Sequence, residues 1–343
     1  MKFNWKKFLC LTLSCVLTLG ALAGCGAGAP AETTEPKATE PEAEAKVLKI
    51  LTLGSSSSVD SNHMINLVAA AEGVEQTLVI GTLYYSGCKL SQHVEFIKGK
   101  SNVYDLYISS TDTPNNPPTI MKEVTMADAL RYEYWDIIFL QPGGFEGMHE
   151  ENYTNGNIEF IRQYVDEHKY NPLAKYGWHQ IGVSSTDPDL IAMYPYSPNS
   201  YDTNAAKYDY NREAMLLART ELLEKYVMSD PSYEYIVASC TAVENAITSY
   251  LGQKGIKRDY THLTDVGRLI ASYVWYCELY GIEKLEEIKV DAIPKAFLKS
   301  TTDKTQDLVL TDMEKAVIIE AVNNTIADPL HITPSQYTEA PAQ

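Results

Sequence analysis

Cysteine is scarce: six in 343 residues, three of them at positions 10, 15 and 25. The other three, Cys88, Cys240 and Cys277, are odd in number and widely spaced, which is no disulfide framework. Three buried thiols are the expected state, with one bridge the alternative. Positive charge is also short: 28 Lys and Arg stand against 45 Asp and Glu, a formal net charge of −17. That excludes a basic footprint for nucleic acid and argues against an anionic membrane face as partner. Cys-x-x-Cys and His-Glu-x-x-His are absent from the sequence, so no metal site is expected and no cofactor is implied. Apolar runs long enough for a confident bilayer span are lacking as well.

What the N-terminus does hold is an export pattern. Lys2, Lys6 and Lys7 precede an apolar stretch from Phe8 to Ala23, which ends in Leu22-Ala23-Gly24-Cys25. This ending resembles a bacterial lipobox and implies cleavage after residue 24 and lipid on the Cys25 sulfur. Residues 25–45 are rich in Ala, Glu, Pro, Thr and Gly and cannot bury enough surface to fold, so they read as a tether. The expectation is a signal peptide over 1–24, a lipidated tether over 25–45 and one domain over 46–335. The protein would then sit on the outer side of the cytoplasmic membrane, at the bacterial cell surface.

Within the domain, short apolar runs alternate with helical stretches. Strands are expected at Val47–Leu53, Gln76–Tyr84, Trp135–Leu140, Gly177–Val183 and Tyr235–Ser239. Helices are expected over Ser61–Glu72, Asn157–His168, Ala205–Tyr226, Thr241–Leu251 and Thr264–Tyr280, and after the capping box Thr311-x-x-Glu314. Continuous apolar strands interleaved with helices predict an α/β fold, a parallel sheet flanked by helices on both faces. Ligands then bind beyond the carboxyl ends of the strands. Gly54–Ser58, Gln141–Gly144 and the loop after Ser239 belong to that edge. Asp187–Asn204, rich in Tyr, Pro and Asn, reads as a long loop beside the site.

Four serines, Ser55 to Ser58, follow the first strand and open a helix. Such serines can cap the helix, cradle a phosphate, or hold a nucleophilic hydroxyl beside N–H groups that stabilise an oxyanion. Far along the chain, Asp259-Tyr260-Thr261-His262 offers a base with an acceptor for its second ring nitrogen. Alone, an Asp-x-x-His is most often a surface loop.

Taken together, these blocks resemble the SGNH (GDSL-type) hydrolase superfamily, and more closely a bacterial branch of it whose domain is still catalogued as of unknown function. That branch opens on Gly-Asn-Ser-Phe-Ser-x-Asp and continues with Gly-Cys-Ser-Leu-x-x-His. It then has Trp-Asp-x-(apolar)-x-Leu-Gln and closes on Asp-x-x-His-Leu-x-x-x-Gly. The present chain has Gly54-Ser55-Ser56-Ser57-Ser58-Val59-Asp60, Gly87-Cys88-Lys89-Leu90-Ser91-Gln92-His93, Trp135 to Gln141, and Asp259 to Leu263 followed by Gly267. The resemblance implies a flavodoxin-like three-layer sandwich and a serine hydrolase acting on esters. Ser56 aligns with the nucleophile, His262 with the general base and Asp259 with the carboxylate that orients it. The N–H groups of Ser56 and Gly87 align with the oxyanion hole, and Gln141 stands where the superfamily has an Asn donor. Three departures bear on rate and substrate: Ser55 for Asn, Ser57 for Phe, and Lys89 for Ser. The repeated serines leave Ser55 and Ser57 as alternative nucleophiles.

Other residues read more plainly. His63 is expected to be packed or solvated, His93 either packed or lining the site, and His179 a packed strand residue with pocket lining as the alternative. Cys88 reads as a buried thiol. The functional expectation is a surface esterase for small acyl esters, O-acetyl groups on carbohydrate among them, with a small-molecule or glycan ester as substrate. One rival is a non-catalytic surface lipoprotein that binds a ligand on the same fold. Another is a nucleotide or flavin binder using the serine run as a phosphate cradle. Oligomeric state is left open.

Overall fold

The computed structural model describes residues 46–112, 119–193, 205–298 and 305–340. The signal segment, Cys25 and the tether therefore lie outside the described residues, as does the part of the tyrosine-rich loop from 194 to 204. Seven strands form one sheet: β1 (Val47–Gly54), β2 (Thr77–Tyr84), β3 (Tyr104–Ser110), β4 (Thr119–Val124), β5 (Ile137–Leu140), β6 (Lys175–His179) and β7 (Tyr233–Val237). Their order is β4-β3-β2-β1-β5-β6-β7. The five expected strands are all present and mutually parallel in the order β2-β1-β5-β6-β7.

Strands β3 and β4 were not expected. They add antiparallel to the β2 edge, with an irregular register between them. The sheet is thus mostly parallel, with helices on both faces. Alternation across the pleat feeds two cores. Ile50, Ile80, Ile137 and Phe139 pack with the helices Ile65–Ala71, Ser239–Ile247, Asp265–Tyr280 and Asp312–Ala327. Leu51, Leu83, Ile138 and Leu140 pack on the other side with Leu90–Gly99, Met126–Tyr132 and Asn157–His168. The capping box forms as expected, with Thr311 Oγ accepting from Glu314 N at 3.1 Å and the Glu314 carboxylate accepting from Thr311 N at 2.7 Å.

Several boundaries move. The stretch 61–72 is two short helices, Ser56–Ser61 and Ile65–Ala71, broken at Asn62–Met64. Buried Asn62 gives its side-chain amide to Thr52 and Thr82 instead of continuing the first helix. The helix expected from Ala205 starts at Arg212, where Asn211 caps it through Ala214 N at 3.1 Å. The expected loop after residue 187 contains a short helix, Pro188–Ala192, capped by Asp187. Among the described residues, no helix is long and apolar enough to cross a membrane.

Candidate active site

The serine run divides its labour. Ser55 is the cap of the helix Ser56–Ser61: its Oγ accepts from Ser57 N at 3.4 Å and from the Gln141 side-chain amide at 3.0 Å. Ser58 is fully buried and donates its hydroxyl to the Gln141 amide oxygen. A Cβ on Gly54 would come within 1.9 Å of the Ser58 Oγ, so the turn out of β1 requires glycine there. Ser56 and Ser57 are only half-buried, and no hydrogen bond joins the Ser56 hydroxyl to another described residue. Capping thus accounts for Ser55 and bracing for Ser58, and neither accounts for the hydroxyls of Ser56 and Ser57.

The Asp259–His262 segment is a closed loop. An isolated antiparallel bridge pairs Lys257 with Leu263, and Arg258 N donates to His262 O at 3.0 Å. Inside it the Asp259 carboxylate accepts from the backbone N–H of Thr261 at 2.9 Å and of His262 at 2.8 Å. The same carboxylate faces His262 Nδ1 at 2.9 and 3.0 Å. Partial burial pushes the Asp259 carboxyl upward, but the His262 ring and these N–H groups outweigh it and hold it well below its ordinary value.

Asp60 connects the two segments. It lies one turn after Ser56, on the same helix face. Its carboxylate is buried and accepts from Leu263 N at 2.9 Å, from Arg268 Nε and Nη2 at 3.0 and 2.7 Å, and from Arg258 Nη1 at 3.2 Å. Burial opposes ionisation, yet Arg268, Arg258 and the Leu263 N–H together keep the carboxyl below its ordinary value. The helix that carries Ser56 is therefore tied directly to the residue after His262.

Gly87 lies in the turn after β2, exposed and at φ +61°, a conformation that favours glycine. Tyr85 N donates to Gly54 O at 3.4 Å, which sets this turn beside the end of β1. Gln141 follows β5 directly and is buried. Three of the five expected site residues, Ser56, Gly87 and Gln141, thus follow strand ends or helix starts at one edge of the sheet, and Asp60 brings the loop that carries the other two, Asp259 and His262, to the Ser56 helix.

A family model described as a domain of unknown function (DUF4886) matches residues 49–296. The chain belongs to the DUF4886 family. The match takes in Ser56, Gly87, Gln141, Asp259 and His262. Among solved structures, a DUF4886 family protein from Bacteroides uniformis ATCC 8492 is similar at a TM-score of 0.68 and 22% identity, over 86% of this chain and 100% of that one. A protein from Slackia heliotrinireducens named "a putative SGNH hydrolase" is similar at a TM-score of 0.40 and 15% identity, over 68% of this chain and 100% of that one. No curated protein matches this chain.

In this DUF4886 chain, sequence reasoning undervalued what lies beneath the serine helix. His179 is fully buried, with Nδ1 at 3.0 Å from the Gln141 amide oxygen and Nε2 at 2.9 Å from Ser239 Oγ. An amide oxygen only accepts, so Nδ1 carries the proton and Nε2 accepts from Ser239. Burial drives the His179 pKa down to about 3, so the ring is neutral. His179, Ser57, Ser239, Thr261 and Lys257 line a cavity of about 20 Å³, room for roughly one water. Lys257 is buried, gives an N–H to Val183 O, and has its pKa lowered to about 8, first by burial and then by nearby Arg212. His179 is thus both packed and cavity-lining. His93 is packed instead, its Nδ1 at 2.7 Å from the Tyr104 hydroxyl and its pKa lowered to about 4 by burial. Cys88, Cys240 and Cys277 are buried, unbridged thiols.

Proposed function

We propose that this DUF4886 chain is a serine esterase of the SGNH type. One observation carries the reading: the Asp60 carboxylate joins the helix bearing Ser56 to the loop bearing His262, while Asp259 engages Nδ1 of the His262 ring. A nucleophile, a base and an orienting acid need that connection, because their separation in sequence gives them none. A ligand-binding surface would have no use for an acid committed to one ring nitrogen of a histidine.

In the proposed reaction His262 Nε2 takes the Ser56 hydroxyl proton as Ser56 Oγ attacks the ester carbonyl. Asp259 fixes the tautomer through Nδ1 and stabilises the imidazolium. The oxyanion is met by the N–H groups of Ser56 and Gly87 and by the Gln141 amide, whose nitrogen has a second hydrogen beyond the one given to Ser55. The protonated His262 then releases the alcohol. Water then attacks the acyl carbon, losing a proton to His262, which returns it to Ser56 Oγ as the acyl–oxygen bond breaks and the acid leaves. Small acyl esters, including O-acetyl groups on carbohydrate, are the proposed substrates. Lipidation at Cys25 would keep the enzyme at the bacterial cell surface, and the acidic net charge agrees with a partner other than nucleic acid.

The test is hydrolysis of p-nitrophenyl acetate, then of acetylated sugars, by the wild type and by Ser56→Ala and His262→Ala. Both variants are expected to stay folded and to lose nearly all activity. Wild-type protein inert on both substrate sets, or activity that survives both substitutions, overturns the reading.

A further inference from the structure

Glu146 is a buried acid that the mechanism above does not use. Its side chain lies in the loop after Gln141 and is 8% exposed. One carboxylate oxygen accepts from Gly143 N at 2.8 Å, within its own loop, and from Leu90 N at 2.8 Å, the first residue of the helix Leu90–Gly99. Ser91 N contributes a further backbone hydrogen bond. Burial raises the Glu146 carboxyl above its ordinary value, only partly offset by these N–H groups and by Lys89. Burying a carboxylate is costly, and capping a helix needs no more than an exposed Ser or Asp.

What the burial achieves is registry between two loops. One carries Gly87, three residues before Leu90. The other carries Gln141, two residues before Gly143. The loops meet at Gly143, where a Cβ would stand 2.9 Å from the Glu146 carboxylate, 3.1 Å from Cys88 O and 3.1 Å from Lys89 Cγ. The Gln141 loop is also held by Arg219, which is fully buried and donates to Gly144 O, while its Nε and Nη1 have no hydrogen-bond partner among the described residues. A buried anion and a buried cation thus grip consecutive glycines of one loop, and only the anion reaches across to the other.

We propose that Glu146 is the positioning residue of the oxyanion side of this site: its carboxylate sets the distance between the Gly87 N–H and the Gln141 amide. The proposal rests on the esterase reading, in which these two groups meet the oxyanion. Its substrate contact is indirect, so its loss lowers the rate of the chemical step and leaves ground-state binding alone.

The experiment compares full-length wild type, Ser56→Ala, Glu146→Ala, Glu146→Gln and Gly143→Ala for kcat and KM on p-nitrophenyl acetate, with a thermal melt of each. Glu146→Ala is expected to lower kcat about 10- to 100-fold, the effect of an ångström-scale misplacement, with KM within about threefold. Glu146→Gln retains a carbonyl oxygen for the N–H groups and is expected to recover most of the rate. Gly143→Ala keeps the Glu146 side chain but wedges a methyl group between its carboxylate and Cys88 O, and is expected to copy Glu146→Ala. If Glu146→Ala does not fold, Gly143→Ala decides. Wild-type kcat in the folded variants, with only the melting temperature lowered, overturns the proposal. Activity surviving in Ser56→Ala instead overturns the esterase reading, whatever Glu146 does.

Discussion

Asp60→Asn is the perturbation that bears most directly on how the site is assembled. The substitution keeps the side chain's shape and one acceptor oxygen for Leu263 N, and removes the charge facing Arg258 and Arg268. Breaking a buried ion pair by removing one partner costs about 3–5 kcal/mol. The lower end applies here, because Arg258 and Arg268 are 32% and 17% exposed, Arg268 keeps Asp265 at 3.0 Å, and Arg258 keeps Leu263 O at 2.5 Å. A loss of about 3 kcal/mol lowers the melting temperature of a domain this size by about 5 °C. The loop from Lys257 to Leu263 would also lose its hold on the Ser56 helix. Esterase kcat/KM is then expected to fall by at least about 10-fold, given the geometric demand on a general base. Calorimetry and p-nitrophenyl acetate kinetics on the same preparation check both numbers. A melting temperature within about 1 °C of wild type, with kcat/KM unchanged, would refute the idea that Asp60 couples nucleophile to base.

The repeated serines give a discriminating pair: Ser56→Ala is expected to cost about 10⁴-fold in kcat, whereas Ser57→Ala, one residue on, is expected to stay within about threefold, and esterase kinetics on both decide which hydroxyl attacks. Acidification has a definite sign as well. His63, His93 and His179 have pKa values lowered by burial to about 3, 4 and 3. The unfolded chain takes up protons near pH 6.5 that the folded chain refuses until pH 3–4, so stability is intact above about pH 6.5 and falls as pH drops toward 4. Each histidine contributes up to about 1.4 kcal/mol per pH unit, and the raised carboxyl of Glu146 works in the opposite direction. The urea midpoint is expected to fall between pH 7 and pH 5; a flat profile would mean that these rings open to water.

The parallel half of the sheet was legible because Val47–Gly54 and Ile137–Leu140 are near-continuous apolar runs, as strands covered on both faces must be. Tyr104–Ser110 was not legible: it mixes aspartate, serines and aromatics, sits toward an edge, and pairs with β4 through shifted registers. The break at Asn62 depends on threonines of two strands, which no local window contains. The same distinction separates the site residues. Asp259 and His262 interact within one turn of chain, so their spacing reveals them. Asp60, His179 and Glu146 act through partners on distant elements, so a lone acid or histidine in the sequence looked ordinary. The four serines could be counted but not told apart. Only the position of Gln141 makes Ser55 a cap and Ser58 a brace, and leaves Ser56 and Ser57 as the two half-buried hydroxyls.

The contact between Asp60 and Leu263 spans 203 residues of chain. At translation speeds of roughly 5–20 residues per second, the second partner leaves the ribosome about 10–40 s after the first. On the proposed esterase reading, a nascent chain therefore carries its serine helix for all that time without His262 to activate it. Chains that stop short of Leu263 would lack that joint, and the proposed hydrolytic capacity would arise only once residue 263 has emerged. On that reading, the long reach of one carboxylate delays assembly of the site until the chain has been made through residue 263.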